Sequence, residues 1–191
     1  MSSDTPPPST GALSAEQRDA LAAAEVGLKS VRRAARMAGI NAWTMAIFAG
    51  ITLLFGLGDA FSMAVGLALG GVAWNEFQGR NMLRGLDPEG AKRLGWNQVV
   101  ILGLVVVYCG VQIWKALYGT PDTSMAELEE LAGFEPGWLS ELTATAYIAV
   151  AVIVSGVQLL TARFHFARIA ELKAWARTTP AWVREVLEVS R

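Results

Sequence analysis

Charged residues are missing from four stretches of the chain: 37–58 (22 residues), 60–75 (16), 94–114 (21) and 142–162 (21). Each stretch is almost continuously apolar, without period-two alternation, and each is too long for a strand, so the pattern predicts helices. A bilayer core of about 30 Å takes roughly 20 helical residues. Three stretches meet that length directly. The second needs Glu76 to Gly79 in the headgroup zone, with Trp74 and Phe77 at the interface where aromatic rings settle. The pattern predicts an all-α integral membrane protein. It is a four-transmembrane-helix bundle with spans at about 37–58, 60–79, 94–114 and 142–162, together a transmembrane domain over 37–162.

The flanks are expected to be shorter and more polar. Residues 1–12 carry Pro6, Pro7 and Pro8 among Ser, Thr and Gly, and are expected to be a disordered tail. Ser14-Ala-Glu-Gln17 matches a capping box, which starts a helix. Leu21, Ala24, Leu28, Val31 and Ala35 put a narrow apolar stripe on it, so 13–36 is predicted to be an amphipathic helix running unbroken into the first span. It either contacts a partner as a short coiled coil or, the plainer reading, lies on the bundle's own end. Gly56 to Asp59 is a tight turn with Asp59 capping the next helix, and Pro88 suits the first turn of another. In 115–141, Ser124-Met-Ala-Glu127 suggests a second capping box and Gly133 a stop, which makes a small interfacial helix. Thr179-Pro180 suggests another start, with Trp182, Val183, Val186 and Leu187 as the apolar face of a C-terminal interfacial helix in the tail 163–191.

Charge, sorted by position, gives an orientation. Residues 1–36, 76–96 and 163–191 hold 15 of the 16 Lys and Arg, and 10 Asp and Glu. Asp59 and segment 115–141 hold Lys115 alone against seven acidic residues. Basic residues collect on the cytoplasmic side, so both termini are expected inside and 115–141 outside. An Arg-rich, Ala- and Gly-rich composition fits the inner membrane of a bacterium. The net charge of −1 argues against nucleic acid as a partner. The tail's six basic residues suit anionic lipid, although ordinary positive-inside bias explains them as well.

Candidate chemistry is sparse. One Cys and one His exclude a Cys/His zinc cluster. His165 reads as a surface histidine, and Cys109 as a packed small hydrophobe. No phosphate-binding loop, dinucleotide fingerprint or nucleophile motif occurs, and no cofactor is expected. Candidate helix-packing residues are Gly66 and Gly70, a GxxxG pair, with Ala151 and Ser155 as a similar small pair. Asn41, Asn75, Glu76, Arg80, Asn97, Gln98 and Gln158 share one depth near the inner ends of the spans. They make a candidate polar cluster, as a vestibule or, more plainly, as interhelical hydrogen bonds. Ala35-Arg-Met-Ala-Gly-Ile-Asn41 and Ala91-Lys-Arg-Leu-Gly-Trp-Asn97 share Ala, a basic residue, Gly and Asn in register, which suggests a duplication.

The expected function is non-enzymatic: a small scaffold or accessory subunit that associates through its helices with itself or with another membrane protein, in contact with membrane lipids. The alternative is an oligomeric channel or transporter for a small solute, lined by Asn41, Asn97 and Glu76. A lipid-modifying enzyme lacks a visible nucleophile or metal site.

Overall fold

In a computed structural model of the chain, residues 13–119 and 123–189 are described. The expected tail 1–12 lies outside them. Seven helices account for the regular structure of the described residues, and no strand occurs among them. They are α1 (Ala15–Gly27), α2 (Lys29–Phe55), α3 (Ala60–Arg84), α4 (Pro88–Tyr118), α5 (Thr123–Ala132), α6 (Trp138–Thr178) and α7 (Ala181–Val189).

Local chemistry sets most of the ends. Ser14 Oγ accepts from the Gln17 amide at 3.2 Å, and Gln17 Oε1 accepts from the Ser14 amide at 2.9 Å, so the capping box at the start of α1 is complete. Asp59 caps α3 by accepting from the amides of Phe61 and Ser62. Gly58, at φ +106°, turns the chain into that cap at a backbone angle L side chains rarely adopt. Pro88 opens α4, where its missing N–H leaves no bond unmade. Gly133, at φ +70°, follows the end of α5. This helix starts at Thr123, one residue ahead of the expected Ser124 cap.

The first helix does not run unbroken into α2. It ends at Gly27, and the chain turns at Leu28 before α2 begins. A packed indole explains the break. Trp175 Nε1 on α6 donates to the Ala24 carbonyl at 3.1 Å, the acceptor that a continuing helix would offer to the Leu28 amide. The Leu28 amide bonds Glu25 O instead, at 3.2 Å. A side chain at residue 27 would meet Trp175 Cδ1 at 3.0 Å, so the glycine leaves room for the ring.

The chain divides into two compact units. One comprises the described residues up to Asn97 together with those from Ala162 onward; the other is Gln98–Thr161. In the first, Ala24, Leu28, Val31, Ala34, Ala35 and Ala38 pack with Leu83, Ala91, Leu94, Leu172, Val183 and Leu187 in one apolar core. The α1 stripe is therefore buried within the chain. So are Val183 and Leu187 of α7. In the second unit, Ile101, Cys109 and Ala144 are buried, and Tyr108 meets Tyr147 edge to face with ring centroids 6.0 Å apart.

Three helices are long and apolar enough to cross a membrane: α2, α4 and α6. The third of these, 41 residues, extends roughly 60 Å, about twice a bilayer core. α3 is not among them, because its second half carries Asn75, Glu76, Gln78, Arg80, Asn81 and Arg84.

Candidate functional site

Most of the candidate polar residues lie on α3 and on the helices against it in the first unit. Glu76 is fully buried, and its Oε1 accepts from Asn41 Nδ2 of α2 at 2.9 Å. The next residue back, Asn75, donates its Nδ2–H to Asn97 Oδ1 of α4 at 2.9 Å, and Asn97 Nδ2 donates to the Val72 carbonyl at 3.1 Å. Arg93 Nε of α4 donates to Asn75 Oδ1. A relay thus runs from Arg93 through two amides to a backbone carbonyl. Buried polar groups are costly unless bonded, and these bonds tie α3 to a neighbour on each side.

The two motif copies occupy matching environments. Ala35 and Ala91 are buried, Arg36 and Lys92 are exposed, and Asn41 and Asn97 both bond to α3. Gly39 and Gly95 are both buried against another helix. A Cβ on Gly39 would meet Arg80 Nε at 3.0 Å, and one on Gly95 would meet Phe166 Cε1 at 2.6 Å. Glycine permits the close approach in each case. Gly90 is tighter still: a Cβ there would stand 2.7 Å from Leu83 N and 2.8 Å from Gly79 O.

Asn41, Asn75, Glu76, Arg80 and Asn97 belong to the first unit, whereas Gln98 and Gln158, both buried, belong to the second. The GxxxG pair is used unevenly. A Cβ on Gly66 would meet Leu53 Cγ at 2.7 Å, so Gly66 serves the packing of α3 on α2. Gly70 has nothing within 4 Å of that position. Ala151 and Ser155 are half-buried on α6 in the second unit.

Two side chains depart from their expected settings. His165 is not on the surface but 2% exposed, one turn beyond the charge-free run of α6, with the Phe164 ring 5.6 Å away, edge to face. Burial, and then the Arg168 guanidinium, push its pKa down to about 4. Its position beside Arg163 suggested a solvated site; only the helices packed around α6 reveal the burial. Glu129, one of the seven acidic residues counted in Asp59 and segment 115–141, is buried and accepts from the amides of Gly137 at 2.9 Å and Leu139 at 2.8 Å. It caps α6, a role that only the fold-back of 133–137 makes available.

Among the described residues no group of three His, Cys, Asp or Glu is placed to hold a metal ion. The chain matches no known protein family, no curated protein and no solved structure.

Proposed function

We propose that this chain is a four-span protein of the bacterial inner membrane, with α2, α3, α4 and α6 crossing the bilayer and both termini in the cytoplasm. It acts as a non-enzymatic scaffold or accessory subunit through association of its helices with a second copy or with another membrane protein. The first half of α3 is apolar, and two polar groups of its second half, Glu76 and Asn75, bond to α2 and α4, which lowers the cost of placing them in or near lipid. The Lys and Arg distribution supports the orientation. α5 and α7 are then short helices near the two membrane surfaces.

The observation that carries the association is a set of glycines facing open space on apolar helix surfaces. Gly103 and Gly110 of α4 stand two turns apart on one face, with Val106 and Val107 exposed between them, and beyond the adjoining residues and backbone of α4 itself no atom lies within 4 Å of a Cβ built on either. A helical glycine costs about 1 kcal/mol relative to alanine. Packing within this chain does not use that absence of a side chain, whereas close approach of another helix does. Gly70 on α3 is open in the same way.

Crosslinking in native membranes tests this. Gly103→Leu with Gly110→Leu, or Gly70→Leu, is expected to abolish the crosslinked species while leaving helicity intact. Unchanged association in both variants contradicts the reading. The competing reading, a channel or transporter lined by Asn41, Asn97 and Glu76, has less support, because those side chains bond to residues of neighbouring helices within the chain. Solute flux into proteoliposomes that stops on Asn97→Leu favours it instead.

A further inference from the structure

A groove in the first unit combines four arginines with an apolar track. Arg32, Arg36, Ile40 and Trp43 recur at helical spacing along α2, so they share one stripe. Arg80 and Arg84, four apart on α3, line the other wall. The cavity between them has a volume of about 460 Å³, within the range of small-molecule sites. The Gly56–Asp59 turn makes α2 and α3 antiparallel, so Arg84 lies toward Arg32 and Arg36, and Arg80 lies against Gly39. Arg32, Arg36 and Arg84 therefore lie toward one end, with the Arg80 guanidinium level with Gly39. Ile40 and Trp43, 63% and 62% exposed, lie toward the other.

Among the described residues, close ion pairs to these arginines are few. Of the four arginines, only Arg32 has a carboxylate within 4.0 Å among the described residues: Glu25, at 3.4 Å. Facing rows of like charge repel, and an anion between them relieves the repulsion. Guanidinium groups suit phosphate in particular, because their planar N–H pairs match two of its oxygens. Gly39 contributes to the arrangement. Arg80 Nε, Cδ and Cζ all lie 3.0 to 3.3 Å from where a Cβ of residue 39 would stand, so a side chain there would displace the guanidinium.

The apolar end identifies the occupant. A free phosphate gains nothing from Ile40 and Trp43. From Trp43 the exposed stripe continues at four-residue spacing through Ile47 and Ile51 along the apolar body of α2. The geometry points to a binding site for an anionic glycerophospholipid: its phosphate lies among Arg32, Arg36, Arg80 and Arg84, and an acyl chain runs along Trp43, Ile47 and Ile51. This assignment rests on the reading that the chain resides in a membrane, and it adds a specific lipid site to it.

The test is native mass spectrometry of the full chain in nonionic detergent, offered equal amounts of phosphatidylglycerol and phosphatidylcholine. The wild type is expected to retain one phosphatidylglycerol in preference to phosphatidylcholine, whose choline cancels the phosphate charge. Arg36→Gln with Arg80→Gln is expected to lower retention at least about tenfold, the scale of losing one or two charge-assisted bonds. Arg36→Gln with Arg84→Gln, both exposed positions, gives the same loss without touching the half-buried Arg80. Arg163→Gln with Lys173→Gln on α6, outside the groove, leaves retention unchanged. Inorganic phosphate at tens of millimolar does not displace the lipid. The assignment is overturned if the groove variants retain lipid as the wild type does, if the α6 pair loses as much, or if phosphate alone displaces it. A chain that inserts into vesicles but shows none of this selectivity defeats the groove alone; one that fails to insert defeats the membrane reading as well.

Discussion

Asn41 of α2 donates its side-chain amide to the fully buried carboxylate of Glu76 on α3, with Nδ2 and Oε1 2.9 Å apart. Removing the donor takes this hydrogen bond from a buried oxygen. Asn41→Leu is therefore expected to cost on the order of 2–3 kcal/mol. Glu76→Gln retains an acceptor of nearly the same shape and is expected to cost clearly less. Thermal unfolding in detergent, followed by circular dichroism, ranks the two; the reverse order contradicts a structural role for the pair.

A methyl group at residue 90 meets Leu83 N at 2.7 Å, Gly79 O at 2.8 Å and Met82 Cβ at 2.8 Å, none of them the far end of a flexible side chain, so the joint between α3 and α4 would have to open. Gly90→Ala is expected to destabilise by about 3 kcal/mol or more, at the upper end for overpacking. Gly70→Ala meets nothing within 4 Å and gains helix propensity, so it is expected to be neutral or to stabilise by up to about 1 kcal/mol. The same melting experiment separates them.

Glu129 satisfies two amides at the start of α6. Glu129→Ala is expected to cost about 1–2 kcal/mol, the range of a lost helix cap. The effect is local, so hydrogen exchange reads it best: the Gly137 and Leu139 amides are expected to lose protection while the core of the first unit keeps its own. Unchanged protection at both amides removes Glu129 from this role.

His165 makes stability depend on pH in a defined window. Its ordinary value of 6.5 is lowered to about 4 in the fold. Between those values the unfolded chain takes up a proton that the folded chain refuses. Stability is therefore complete above about pH 6.5, falls as pH drops toward 4, and levels off below, with a total on the order of 3 kcal/mol. Carboxylates also titrate in this range, so the difference between wild type and His165→Gln isolates the histidine. Parallel pH profiles for the two proteins contradict its burial in the neutral form.

Features decided within a few residues were legible in the sequence. The Ser14 capping box, the Asp59 cap, Pro88 at a helix start and Gly133 after a helix end each depend on neighbours three or four positions away. The apolar runs behind α2, α4 and α6 were equally plain, being properties of composition. What depended on distant contacts was not visible. The break after Gly27 needs Trp175, 148 positions later. The burial of His165 needs the helices around α6, and the capping role of Glu129 needs a folded-back loop. Asn41 and Glu76 could be matched by depth along their helices, but Gln98 and Gln158 at a similar depth belong to the other unit. The arginine groove was hidden for a related reason. Arg36 and Arg84 look like ordinary flanking charges until α2 and α3 are paired.

The account turns on whether α3 crosses the membrane, and the residue that decides is Asp87, in the turn between α3 and α4. Single cysteines at Ser2, Asp87 and Thr123, introduced on a Cys109→Ala background, can be labelled in intact cells with a membrane-impermeant thiol reagent before and after permeabilisation. Four crossings predict that Ser2 and Asp87 are protected until the membrane is opened, while Thr123 is labelled from outside. Labelling of Asp87 from outside, with Ser2 protected, would mean that α3 does not cross and would contradict the account.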